Sequence, residues 1–352
     1  MNERTEDALQ LLTDLIRIPS FSKEEDKTAQ IIGTFLEKKG VKFERSNNNL
    51  ISRNKFFDES KYTVVLNSHH DTVKVVDGWT RDPFGAEVEN EKLFGLGSND
   101  AGGCLVSLIA TYIFFYDKPL DYNLILIASA EEENFGHNGV SSVLSKLDIE
   151  PDLGIIGEPT QMQMAVAEKG LIVIDGLAKG ESGHVAYQKG ENAIYKAMDD
   201  IKWISNYQFP KVSETLGKVM MSATQVEGGI QHNVIPDSCK FVVDVRVNDC
   251  YRLKEVADII SINCSSEMTP RSLKWHPSRI DINHPLVKKG KSLDLDYYGS
   301  STMSDQVHFK CPTLKIGPGD SLRSHTADEY ILKGEVEQGI STYISLLEGL
   351  SL

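Results

Sequence analysis

Near the N-terminus the apolar positions fall at helical spacing. Leu9, Leu12, Leu15, Ile16 and Ile18 predict a helix over residues 4–18 that Pro19 stops, and a second helix over 24–39 ends at Gly40. Short continuous apolar runs then take over: YTVVLN (62–67), YNLILIASA (122–130), DLGII (152–156) and PTLKIG (312–317). Each leads directly into a polar segment: SHHDTV, the triplet Glu131–Glu133, GEPT and PGDSLRSH. The longest uncharged run, AGGCLVSLIATYIFFY (101–116), has 16 residues. That is short of the about 20 needed to span a bilayer, and it reads as a buried helix. Apolar strands separated by helices predict an α/β domain whose mostly parallel sheet is covered on both faces.

The middle of the chain has a different rhythm. LIVIDGLAK (171–179) alternates, ENAIYKAMDDIKWI (191–204) is amphipathic, and GKVMMSATQV (217–226) and CKFVVDVRV (239–247) read as strands. A helix from 251 to 261 and a strand at SLKWH (272–276) complete the order β-α-β-β-α-β, which is ferredoxin-like. Residues 170–280 are therefore expected to form an α+β lid inserted into a domain made of 1–169 and 281–352.

A chain of 352 residues fits two domains. Its formal net charge of -14, with no basic run to offset it, argues against nucleic acid or an anionic membrane and leaves a small molecule as the expected partner. Five cysteines (104, 239, 250, 264, 311) form an odd set without a CxxC pair. Reduced thiols and a cytoplasmic location follow. The opening MNERTEDALQ lacks the basic and then apolar pattern of a secretory signal and supports the same location.

In an open parallel sheet, ligands bind beyond the carboxyl ends of the strands. His69, His70 and Asp71 follow the first apolar run, Glu131 to Glu133 another and Glu158 a third, while His325 comes after a fourth. Asp100 precedes the Ala-Gly-Gly that opens the uncharged helix, where the helix dipole would favour a carboxylate. Taken singly, each has an ordinary explanation: a capping pair, a solvated triplet, a turn, a loop histidine. Their coincidence at strand ends points instead to an imidazole and carboxylate site for zinc, cobalt or manganese. GLGSND starts like a dinucleotide loop, but Asp100 occupies the third glycine position, so that fingerprint fails.

HHDTV, GLGSNDAGG, SAEEEN, IIGEPT and GPG…SHTADEYI, in that order, resemble the dinuclear zinc family of acetylornithine deacetylases, succinyl-diaminopimelate desuccinylases, aminoacylases and glutamate carboxypeptidases. The likeness spans nearly the whole chain, and the motif wording is nearest to acetylornithine deacetylases and related N-acyl-amino-acid deacylases. It implies two zinc or cobalt ions, with His69 and Glu158 on one, Glu133 and His325 on the other, and Asp100 bridging. By the same resemblance Asp71 would orient His69 and Glu132 would be the general base. Neighbouring residues at a strand end project to opposite sides, which would part Glu132 from Glu133. Glu131 and His70 are left outside the chemistry.

The resemblance further implies hydrolysis of an N-acyl amide, in which Glu132 takes a proton from the attacking water and returns it to the leaving amine. His184, in GESGHVAYQKGENAI, matches a histidine that serves the other subunit's site in a dimer. Asn233 and Arg246 match positions that contact substrate, arginine suiting an α-carboxylate. Glutamate at 158 counts against the aminopeptidase branch. Three departures stand out: no lysine follows Asp100, no proline closely follows His184, and the loop GSSTMSD (299–305) matches only loosely. A carboxypeptidase, a dipeptidase or a succinyl-diaminopimelate desuccinylase is the alternative.

Overall fold

The computed structural model describes residues 2–187 and 189–352. Gln188, in the segment that follows His184, lies outside the described residues. The chain divides into two compact units. The first comprises Met1–Val166, Arg279–Tyr298 and Ser304–Leu352, and the second Ala167–Ser278 with Gly299–Met303.

In the first unit four strands run parallel side by side, in the order Asn123–Ser129, Thr63–His69, Leu153–Ile156, Thr313–Lys315. Antiparallel strands extend both sides: Asn49–Arg53 joins the Asn123–Ser129 edge and Met164–Glu168 joins Thr313–Lys315. Every residue of Thr63–His69 and Asn123–Ser129 is buried, which accounts for the apolar runs Val64–Leu66 and Leu124–Ala128 within them, while the buried polar side chains Asn67, Ser68 and Ser129 are hydrogen-bonded. One face packs against the helices Glu3–Ile16, Gly103–Tyr116 and Lys333–Leu347 through a single large core that includes Leu12, Leu66, Leu105, Leu126 and Leu347. Val65, Ile125 and Ile127 point to the other face and meet Val140 and Val143 of a short helix.

The uncharged segment is the helix Gly103–Tyr116. Its Ser and Thr hydroxyls return to the backbone, Ser107 to Gly103 (2.7 Å) and Thr111 to Ser107 (2.8 Å), so burial leaves neither unsatisfied. No helix of the described residues is long and apolar enough to cross a membrane.

The second unit carries an antiparallel sheet ordered Met220–Gly228, Ser238–Val247, Gly170–Lys179, Glu267–Pro270. The helices Ala193–Asn206 and Leu253–Asn263 connect these strands in the β-α-β-β-α-β order. The last strand differs from the expectation at SLKWH (272–276). Glu267–Pro270 pairs instead, with Met268 opposite Gly176, and Pro270, which has no N–H to donate, closes the ladder.

Candidate metal centre

Thr63–His69 ends on His69 itself, which places the imidazole at the carboxyl edge of the sheet. Its Nδ1 lies 3.0 Å from the Asp71 carbonyl and 3.4 Å from an Asp71 carboxylate oxygen. Both are acceptors, so Nδ1 carries a hydrogen and Nε2 is the nitrogen free to bind a metal when the ring is neutral. That Nε2 is buried and makes no hydrogen bond among the described residues. Three carboxylates face it: Asp100 at 3.4 Å, Glu158 at 3.8 Å and Glu132 at 3.9 Å. A buried imidazole nitrogen without a hydrogen bond, ringed by carboxylates, is what a bound cation would satisfy.

His70 is occupied at both nitrogens. Nε2 donates to the Asn48 carbonyl (2.9 Å), and Nδ1 accepts from the Thr28 hydroxyl (2.9 Å). Burial pushes this imidazole down to about 4, so it stays neutral and structural.

Asp100 precedes the buried helix by more than expected. A π-turn, Ser98–Gly102, intervenes, with Asp100 at φ -115° and ψ 98°, and no side chain caps the helix that begins at Gly103. The dipole expectation therefore gives way to a different role. One carboxylate oxygen of Asp100 faces His69 Nε2 (3.4 Å), and the other faces His325 Nε2 (3.6 Å). The turn folds back so closely that a Cβ on Gly102 would sit 2.4 Å from the Gly97 carbonyl, which explains the glycine there.

The three glutamates separate by a turn and not by strand alternation, since the strand ends at Ser129 and Glu131 adopts a left-handed φ of 55°. Glu131 turns away to accept from Asn138 Nδ2 (3.0 Å) and N–H (3.3 Å). Glu132 faces His69, and Glu133 meets His325 at 3.0 Å. Asp71 holds this turn, its carboxylate accepting the N–H of Glu132 (3.0 Å) and of Glu133 (3.2 Å) and the Ser22 hydroxyl (2.7 Å).

Burial, partly offset by His69 and reinforced by Glu158, holds Glu132 well above the usual carboxylate range. Burial and the Asp100 charge push Glu158 up to about 8. The hydrogen bond to Glu133 lifts His325 to about 9. Burial opposes charge on His69, but Asp100 and Asp71 outweigh it and raise its pKa. Divalent cations reverse this balance, because they favour ionised carboxylates and a neutral imidazole. His69, Glu132 and Glu158 form one group able to hold a metal ion, and His69, Asp100 and Glu133 form another. With His325 beside Asp100 and Glu133, the five residues expected as ligands converge. Imidazole with carboxylate suits zinc and its neighbours.

Three buried acids beside these residues had no role assigned from the sequence. Glu25 accepts the N–H of Lys23 and Glu131 (3.2 Å for the latter), and Asp305 accepts from Asn67 and Ser129, both at 2.8 Å. Glu329 accepts from the loop that carries Asp100.

The remaining candidates belong to the second unit. His184 pairs across a two-strand ladder with Val234, next to Asn233, whose carbonyl accepts the Val185 N–H at 3.3 Å. Arg246 sits in the strand Ser238–Val247 with its guanidinium forked onto Asp244 (2.8 and 3.0 Å).

The pattern of peptidase family M20/M25/M40 matches residues 65–349. The chain belongs to this family. Succinyl-diaminopimelate desuccinylase 2 of Ruegeria sp. is 24% identical over 97% of this chain and 94% of its own length. An acetylornithine deacetylase of Proteus mirabilis is 26% identical over 100% and 99%. Among solved structures, an M20 family metallo-carboxypeptidase from Sulfolobus solfataricus shares the fold at a TM-score of 0.76, with 17% identity and 99% of both chains covered. So does a dinuclear metal binding peptidase from Bacillus subtilis, at 0.70, 15%, and 98% and 99% coverage. As a member of the M20 family the protein is a hydrolase of amide bonds.

Proposed function

We propose that this hydrolase is a metal-dependent deacylase of N-acyl amino acids, with N-acetyl-L-ornithine as its first substrate and a place in cytoplasmic arginine biosynthesis. The observation that carries the metal-dependent reading is the single Asp100 carboxylate whose two oxygens face His69 and His325. His69, Glu158, Glu133 and His325 would complete the ligand set for two divalent ions, zinc or cobalt. Such ions supply charge compensation and Lewis acidity at the scissile carbonyl. The likeness to acetylornithine deacetylases over the whole chain supports the choice of substrate.

Glu132 is the group left to move the proton. It takes one from the attacking water and delivers it to the leaving amine, so one carboxylate serves both halves of the hydrolysis. His184 suits the developing oxyanion. Its Nδ1 accepts the Ala186 N–H (3.2 Å), which leaves Nε2 as the N–H donor. Asn233 has a buried Oδ1 without a hydrogen-bond partner among the described residues and fits a polar contact to substrate. Arg246 fits the substrate α-carboxylate, a role in which it would exchange Asp244 for the ligand.

A homodimer through the second unit is consistent with its unpaired edge. Met220–Gly228 is an edge strand that exposes Met220 and Val226, and the adjoining helix Ala193–Asn206 exposes Tyr195 and Met198.

The likeness to a desuccinylase favours a second reading, an N-succinyl substrate. One kinetic comparison separates the two. N-acetyl and N-succinyl derivatives of ornithine, citrulline and lysine are assayed beside a dipeptide panel. Highest kcat/KM on N-acetylornithine supports the proposal, and preference for succinyl derivatives or dipeptides overturns it.

A further inference from the structure

Glu329 is buried, yet its carboxylate meets no cationic side chain at hydrogen-bond range among the described residues. It accepts three backbone N–H groups instead: Asn99 at 2.8 Å and Asp100 at 2.9 Å on one oxygen, and Gly97 at 3.1 Å on the other. Those donors belong to the turn that presents Asp100. The Glu329 carbonyl also accepts the Gly95 N–H at 2.9 Å, and the next residues, Tyr330–Leu332, pair with Lys92–Phe94, the strand feeding the same turn. The contacts of this segment thus reach from residue 92 to residue 100.

The same short segment begins with His325. Asp328 anchors it elsewhere, accepting from Thr80 N–H (2.9 Å), the Thr80 hydroxyl (2.6 Å) and Arg81 N–H (3.2 Å). His325 therefore meets the Asp100 carboxylate in front, while Glu329, four residues on, holds the Asp100 backbone from behind. A carboxylate that must serve two histidines at once has little angular tolerance. The backbone N–H of Asp100 lies three bonds from its carboxyl carbon, so fixing it narrows where the two oxygens can point.

We propose that Glu329 is a positioning residue that orients the bridging carboxylate of Asp100 between His69 and His325 by clamping the N–H groups of Gly97, Asn99 and Asp100. The inference rests on the proposed metal-dependent function. Partners that orient metal ligands change affinity by roughly 10- to 100-fold when removed.

The test is calorimetric titration of zinc and cobalt into metal-free full-length protein, with the visible spectrum of the cobalt form and kcat and KM read alongside. Glu329→Gln keeps the side-chain volume but turns an amide NH2 toward at least one N–H donor. The expected result is metal binding weaker by roughly 10- to 100-fold, an altered cobalt spectrum, and a lower kcat with little change in KM. Asp328→Ala, which removes the acceptors of Thr80 and Arg81 and so loosens the same segment without touching the Asp100 turn, is expected to keep wild-type affinity. If Glu329→Gln does not fold, Glu329→Asp, one methylene shorter, is read in the same way. Affinity unchanged in the Glu329 variant, or lost equally in Asp328→Ala, overturns the positioning role. Wild-type protein that binds no metal overturns the proposed function, a distinguishable failure.

Discussion

The Asp71 carboxylate lies 3.0 Å from the backbone N–H of Glu132, 61 residues away in sequence. Through that bond and its contacts to His69 and Glu133, one buried acid sets the ring tautomer of one site residue and the turn carrying two others. Asp71→Asn has no orientation that keeps all its donors, because its NH2 must face Glu132 N–H on one side or Ser22 and Glu133 on the other. A buried donor left unsatisfied costs about 1–3 kcal/mol. The expected outcome is a lower melting temperature together with weaker zinc binding, checked by thermal unfolding and metal titration. A variant equal to wild type in both would remove Asp71 from this role.

Glu132→Gln preserves shape and removes the proton acceptor. Turnover is expected to fall by about 10²- to 10⁴-fold, the range attributed to a positioned acid or base. Metal content measured after gel filtration should stay at the wild-type level. Dialysis against a chelator should abolish wild-type activity, and zinc or cobalt should restore it. Loss of metal in Glu132→Gln would instead make Glu132 a ligand, as its distance to His69 equally allows.

The strand ends were legible in the sequence because a buried parallel strand is apolar along its middle and turns polar as it nears the sheet edge. HHDTV and GEPT mark that change sharply. The direction of each glutamate in the triplet was not legible. It depends on where the strand stops, at Ser129, and on a left-handed Glu131, both fixed by Asp71 and Glu25 from distant segments. Glu329 and Asp305 were missed for a related reason. An acid that accepts backbone N–H groups in the interior looks in sequence like any solvated acid, and only tertiary contact tells them apart. The misplaced last strand of the second unit followed from SLKWH being more apolar in rhythm than EMTP, while hydrogen bonding with Gly170–Lys179 selected the latter.

His184 offers a test of sharing between subunits. It is exposed, its ring lies 5.4 Å from that of Tyr187, and nothing in its own ladder needs its Nε2. His184→Ala should lose turnover with metal content intact, by about 10²-fold or more, as for other oxyanion donors. Mixing it with Glu132→Gln, followed by subunit exchange, should partly restore activity, because a mixed dimer would hold one site with both residues. Activity that stays at the sum of the two inactive proteins would rule out a shared site.

His284 should set part of the pH dependence of stability. It caps the helix Pro285–Ser292, with Nδ1 accepting the Leu286 N–H at 3.2 Å, a bond only the neutral ring can accept through that nitrogen. Burial depresses its pKa below the usual value, with Asp281 opposing in part. The unfolded chain therefore takes up this proton first. Stability from the cap is full above the ordinary histidine pKa and is lost as pH falls through it toward the folded value. Asparagine caps as well and does not titrate. Melting curves of wild type and His284→Asn should run together near about pH 8, and wild type should fall more steeply toward about pH 5, below the ordinary histidine range. Other titrating groups are common to both proteins and cancel in the difference, so parallel curves would show that the cap survives protonation and that burial of this ring carries no pH-linked stability.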